Sequence, residues 1–276
     1  MRVDTHVHFW KYDKATHAWI TDNMKVLQQD YLPHAIAGTL QRNGIDACVA
    51  VQADQSELET HYLIELSKTH DFIKGVVGWI DLQGDDIEER LAYFSQYSII
   101  KGWRHVAQAE PMEFFYGEKF RRGLSAIKPY GYTYDILIYH HQLKAAIDLV
   151  HAFPDQPFIL DHCAKPDIAN RHIDEWAADI RSIAQHPHVC CKLSGLFTEA
   201  KWKSWSPAEF YPYLDVVFEA FGTDRLLFGS DWPVMLLSGI YVQWKSLLEK
   251  YMENFEAEER EKIFGQNAID FYHLVN

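Results

Sequence analysis

Val3-Asp4-Thr5-His6-Val7-His8-Phe9-Trp10 is a short apolar run interrupted by an acid and two histidines. Side chains at i and i+2 of a strand share a face, so His6 and His8 project together into whatever space this strand lines, with Asp4 expected on the same side. Two more stretches of this kind lie far downstream. Leu160-Asp161-His162 ends one apolar run, and Phe228-Gly229-Ser230-Asp231-Trp232-Pro233 ends another. His6, His8, His162 and Asp231 make three nitrogens and one carboxylate oxygen, a set suited to a zinc-like ion if the fold brings the three segments together.

The pattern between these segments supplies a fold that does so. Apolar, β-branched runs at Ile45 to Ala53, Phe72 to Leu82, Ile99 to Val106, Tyr132 to Tyr139, Pro157 to Cys163, Val189 to Leu193 and Leu226 to Asp231 read as strands. Helical patterns fill the intervals: Pro33 to Asn43, Ser56 to His70 behind a Ser-Glu-Leu-Glu capping box, Asp85 to Tyr97, Phe120 to Lys128, His141 to Phe153, Ile173 to His186 and Pro207 to Phe221. Tyr241 to Leu274 closes the chain as helix. Leu58, Tyr62 and Leu66 stand at helical spacing, as do Leu91 and Phe94. Eight strand–helix repeats with continuous rather than alternating apolar strands predict a parallel (β/α)8 barrel of one domain, residues 1–276. The rival, a doubly wound open sheet, lacks its usual Gly-x-Gly-x-x-Gly turn. Tyr12 to Tyr31, after the first strand, is too long for an ordinary βα loop, which marks it as functional.

Composition narrows the function. At 276 residues and 48% hydrophobic content the chain can bury one large core, and its 9 Trp, 15 Tyr and 16 Phe leave aromatic rings for a pocket. A formal charge of −13 disfavours nucleic acid and anionic membrane as partners, and favours a small uncharged or locally steered molecule. A homo-oligomer is compatible with all of this. The four cysteines, Cys48, Cys163, Cys190 and Cys191, have no disulfide or metal spacing and read as reduced thiols. With no apolar leader and no ~18-residue apolar stretch, the expected location is cytoplasmic.

In a parallel barrel the carboxyl ends of all strands open onto one mouth. There the pattern places His6 and His8, Arg104 and His105, Asp161 and His162, Lys192 and Ser194, and Asp231. Each has a plainer reading: His105 as a hydrogen-bonded spacer, Lys192 as an ion-paired lysine, Asp161 as a cap.

Several of these segments resemble the motifs of the amidohydrolase superfamily, in particular its sugar-lactonase branch. They are Asp4 to Trp10, Val77-Gly78-Trp79-Ile80-Asp81-Leu82, Gly102-Trp103-Arg104-His105, Asp161-His162-Cys163-Ala164-Lys165-Pro166, Lys192-Leu193-Ser194-Gly195-Leu196 and Phe228 to Pro233. The resemblance implies a hydrolase working at the barrel mouth through water activated by the eighth-strand carboxylate. It also implies one divalent ion, zinc first among candidates, on His6, His8, His162 and Asp231, although the branch includes metal-independent members. Binuclear relatives carry a carboxylate or modified lysine on the fourth strand and a histidine on the fifth. Here the fourth strand ends in Arg104 and His105 and the fifth, Tyr134 to Ile138, has no histidine, so a second ion is not expected.

Lactone opening needs a nucleophilic water, a base, positive charge for the oxyanion and an acid for the leaving alkoxide. Asp231 suits the base; His162 and His105 are the further catalytic candidates, and His162, Arg104 and Lys192 suit the oxyanion. A sugar lactone also presents apolar faces and hydroxyls, which Trp10, Trp19, Trp103 and Trp232 as walls, and Gln52, Arg104, His105, Lys165 and Lys192 as partners, would meet; the tryptophans read equally well as core. The rivals are a metal-dependent decarboxylase or a hydrolase of aromatic or dicarboxylate lactones, which calls for a second arginine at the mouth, and a sugar-binding barrel without catalysis.

Overall fold

The computed structural model describes residues 1–275. Eight strands form one parallel sheet in sequential order: β1 (Val3–Val7), β2 (Ala47–Val51), β3 (Ile73–Gly78), β4 (Ile100–His105), β5 (Thr133–Ile136), β6 (Phe158–Leu160), β7 (Val189–Leu193) and β8 (Leu226–Phe228). Backbone bonds His8 N to Trp232 O (2.8 Å) and Asp231 N to His6 O (2.9 Å) join the first strand to the last and close the barrel. The sequential order excludes the doubly wound sheet.

Helices α1 (Pro33–Arg42), α2 (Glu57–Thr69), α3 (Ile87–Phe94), α4 (Glu118–Ile127), α5 (Leu143–Ala152) and α6 (Asp174–Ile183) cover the outside, followed by a short α7 (Leu196–Glu199) and α8 (Tyr211–Phe221). The closing segment is three helices, α9 (Tyr241–Tyr251), α10 (Ala257–Glu261) and α11 (Asn267–Tyr272), the last two joined by a π-helical turn. The Ser56 hydroxyl caps α2 by accepting from Glu59 N. The expected reciprocal bond is absent: Glu59 accepts from Ala53 N at 3.0 Å instead. Leu58 is 82% exposed, so α2 turns Leu63 and Ile64 inward rather than the face carrying Leu58. No helix among the described residues is long and apolar enough to cross a membrane.

Two apolar layers result. Val3, Ala47, Val49, Val51, Val77, Ile159 and Leu227 fill the barrel interior with Tyr272 and Leu274 from the C-terminal segment, while Val7, Cys48, Ala50, Ile136, Leu160 and Phe228 face the helices. The strand parities follow from these layers, and they overturn one expectation. Asp4 pairs in register with Cys48 and Val7 with Ala50, both outward, and the β1–β2 register slips between them. Asp4 therefore faces outward, away from His6 and His8, because one irregular residue reverses side-chain direction. Its carboxylate accepts from Ser230 N (2.9 Å), His6 N (3.1 Å) and the Tyr241 hydroxyl (3.0 Å), stitching β1 to β8 and α9.

Candidate active site

Strands β1, β6 and β8 each hand over polar side chains where they stop. β6 ends at Leu160, earlier than the apolar run suggests, because His162, Cys163, Ala164 and Lys165 all take positive φ (50–57°). Four successive non-glycine residues in this left-handed region are strained, and a surrounding packing must hold them. Gly195 (φ 68°) is part of that packing: a Cβ there would lie 2.5 Å from the His162 ring. Asp231 also has φ 60°, which turns its carboxylate back over the barrel mouth.

These turns bring together the four residues of the expected ligand set. Asp231 Oδ1 lies 3.4 Å from His8 Nε2 and 3.8 Å from both His6 Nε2 and His162 Nε2, and His6 Nε2 lies 3.2 Å from His8 Nε2. His8 Nδ1 donates to Val51 O at 2.8 Å, since a carbonyl only accepts, and Nε2 is the atom turned to the mouth. His162 Nδ1 meets the Ser194 hydroxyl at 2.8 Å. Burial pushes His6 well down and His162 to about 4, so both are neutral at pH 7. Burial acts to raise the Asp231 carboxyl, but His162, the His8 hydrogen bond and Lys165 together hold it below the ordinary carboxylate value. An ionised carboxylate and neutral imidazoles are the protonation states that metal ligation requires. In a tetrahedron with bonds of about 2.0–2.1 Å the ligand atoms stand roughly 3.4 Å apart, a value that the His6, His8 and Asp231 separations bracket; His162 stands 3.8 Å from Asp231 but falls in a second donor group, with His6 and Asp161. The donor set fits a zinc-like ion.

Above this cluster opens a pocket of about 350 Å³, within the range that holds a small molecule. His8, His162, Asp231, Arg104, Lys165 and Trp19 line it, all of them candidates from the sequence. Lys165 Nζ donates to Gln108 Oε1 at 2.7 Å. Gln108, Asp54, Gln55 and the apolar Val106, Leu137 and Val234 complete the wall. None of these stood out in the sequence, because loop residues just past a strand carry no periodicity.

Other candidates are placed elsewhere. His105 pairs in register with the outward Ile136, its Nε2 meets Glu110 Oε1 at 2.9 Å, and its ring stacks on Phe114; it faces the helix layer, opposite to Arg104, and so stands apart from the catalytic cluster. Trp10 is buried with its Nε1 on Gln29 O, holding the loop of residues 11–30 against Tyr31, and Trp232 packs on Phe9 and Tyr31. Gln52 lies behind the wall, donating to Arg104 O (3.1 Å) and accepting the Arg104 guanidinium at its own carbonyl. Lys192 points inward but below the pocket, fully buried among Asp135, Asp161 and His6. Asp135 is the residue the sequence reading passed over; the signal was there, a lone acid in an apolar strand.

Fold and site together define a (β/α)8 barrel whose polar mouth carries donor groups able to hold a metal ion. The chain belongs to the amidohydrolase family, which it matches over residues 3–274. It is 37% identical, over 99% of its length and 96% of the relative's, to an L-fucono-1,5-lactonase of Burkholderia multivorans. A second L-fucono-1,5-lactonase, from Burkholderia ambifaria, is 30% identical over 99% of this chain and 96% of that one. Among solved structures, an amidohydrolase from Burkholderia multivorans with bound zinc superposes with a TM-score of 0.95 at 37% identity, covering all of both chains.

Proposed function

We propose that this chain hydrolyses the lactone of a sugar acid, with Asp231 as general base. The observation that carries the reading is an ionised Asp231 at the floor of a lined pocket, its Oδ1 ringed by three imidazoles while Arg104 and Lys165 stand on the wall above. The relatives support the substrate class: two full-length ones carry the name L-fucono-1,5-lactonase.

In this reading Asp231 accepts a proton from water as the water oxygen bonds to the lactone carbonyl carbon and the carbonyl electron pair moves onto oxygen. Pocket donors, Lys165 first among them, meet that oxyanion. When the tetrahedral intermediate collapses, the ring C–O bond breaks and the departing oxygen takes the proton held by Asp231, giving the open hydroxy acid. His6, His8, His162 and Asp231 would hold a single zinc-like ion, whose chemistry when bound is to acidify water and polarise a carbonyl. Trp19 offers a face to the sugar ring, and Gln108, Gln55 and Asp54 offer hydroxyl partners.

One arginine lines the pocket, which disfavours the aromatic carboxylates of the decarboxylase reading. A mere sugar binder has no need of a buried, ionised carboxylate among neutral histidines. Net charge and unpaired thiols, three of the four buried, support a cytoplasmic enzyme with neither nucleic-acid nor membrane partners. The test is a pH-indicator assay of purified protein on fucono-, rhamnono- and galactono-lactones beside γ-butyrolactone. Sugar lactones are expected to turn over faster. Equal turnover of γ-butyrolactone would remove the sugar pocket, and no turnover of any lactone would remove the function.

A further inference from the structure

Below Arg104 on the pocket wall, the barrel interior holds charged groups that the proposed chemistry does not touch. Arg104, Asp135, Asp161, Lys192 and Tyr272 are all buried, and they connect. The Tyr272 hydroxyl, reaching into the barrel from α11, donates to Asp135 Oδ2 at 3.0 Å. Lys192 Nζ pairs with the same Asp135 oxygen and, on its other side, with Asp161 Oδ1 at 2.9 Å. Asp161 Oδ1 lies 3.4 Å from His6 Nδ1, and Asp161 Oδ2 accepts from Arg104 Nη1 at 3.0 Å. Two cations and two carboxylates balance, as groups removed from water must.

His6 is gripped on both edges of its ring. Its Nε2 lies 3.2 Å from both Arg104 Nη1 and His8 Nε2, at the mouth. Its Nδ1, on the inner edge, lies 3.3 Å from Lys192 Nζ and 3.4 Å from Asp161 Oδ1. The contacts run unbroken from floor to mouth: hydroxyl to carboxylate, ammonium to two carboxylates, and ammonium and carboxylate together to the inner edge of the imidazole whose other edge faces the mouth.

Resting on the lactonase reading for its kinetic arm, we propose that Tyr272 and Asp135 are positioning residues, which hold Lys192 and through it Asp161 so that His6 presents Nε2 to the mouth. The chain's last helix is thereby part of the active site without reaching the substrate. Tyr272 and His6 are 266 residues apart in sequence, and a single file of polar contacts joins them.

Tyr272→Phe tests this with the ring packing and the charge balance kept. Freed of the hydroxyl, the Asp135 carboxylate is no longer fixed, and Lys192 and Asp161 lose their register against His6. The expected result is a kcat lower by about tenfold with KM within twofold, the size usual for a residue that orients another. Nitrogen-15 histidine spectra should show the His6 ring nitrogens shifted from their wild-type positions. Tyr251→Phe, which removes a surface Tyr–Asp bond of 2.7 Å, is the control and should change neither. Unchanged His6 nitrogen shifts in Tyr272→Phe would overturn the proposal whatever the substrate proves to be. An unchanged kcat on an active wild type would overturn it equally, and a wild type inert on every lactone would refute the lactonase reading while the spectra still decide this one. If Tyr272→Phe lost its fold, Asp135→Asn provides the same two measurements, with the same two overturning results.

Discussion

Replacing Asp231 by Asn removes the proton-accepting carboxylate while keeping its shape. Asn has the same shape, and it tolerates the left-handed φ of 60° as readily as Asp. The backbone bonds of residue 231, from its N to His6 O and from Met235 N to its O, do not involve the side chain. The new amide, which can both donate and accept, keeps a polar partner for His8 Nε2, 3.4 Å from Oδ1. A stability change of about 1 kcal/mol is expected, roughly 2–4 °C in Tm for a chain of this size. Catalysis should respond far more, because an amide cannot take a proton from water: kcat should fall by about 10²–10⁴, or ~2.7–5.4 kcal/mol in the barrier. Initial rates on the best lactone, normalised to folded protein by circular dichroism, measure both. A variant that melts much earlier yet keeps its kcat per folded molecule would show a structural carboxylate and refute the assignment of the base.

Gly195→Ala should be worse for activity than its single methyl suggests. Its Cβ would meet His162 Cγ and Nδ1 at 2.5 Å, at a φ that alanine resists, and a loss of about 2–4 kcal/mol with a collapse of kcat is expected in melting and rate assays. Elemental analysis after zinc loading should find no more than one ion per chain, since the two candidate donor groups, His6–His8–Asp231 and His6–Asp161–His162, share the His6 imidazole and Asp161 is already paired with Arg104 and Lys192; two tightly held equivalents would contradict this. Lys165→Met should weaken oxyanion stabilisation, lowering kcat/KM by about 10²–10³; a change below threefold would place the oxyanion elsewhere. Glu59→Gln tests burial away from the chemistry. Burial raises the Glu59 carboxyl to about 7, so the stability tied to its proton is present below its unfolded value near 4.5 and is lost as pH rises toward 7. Gln has no such loss, so the variant's Tm advantage should grow between pH 5 and pH 8, by an amount equivalent to at most about 3 kcal/mol; a constant difference would show that Glu59 titrates normally.

The alternation of strands and helices, the single barrel and the convergence of His6, His8, His162 and Asp231 were all legible in the linear chain. The reason is geometric. A parallel barrel sends every strand's carboxyl end to one mouth, so polar residues at the ends of apolar runs meet however far apart they lie. Direction across the sheet was a different matter. A strand buried on both faces has no alternation of polar and apolar residues, so nothing in Ile100–His105 says that Arg104 points to the axis and His105 to the helices. The same lack hid the irregular residue that turns Asp4 outward, the depth that puts Lys192 beneath the pocket, and the packing that makes Trp10 and Trp232 support for a loop. Tertiary structure alone decided the file from Tyr272 to His6, because the order of donors and acceptors along it exists only once strands β1, β4, β5, β6 and β7 and helix α11 surround the same buried space.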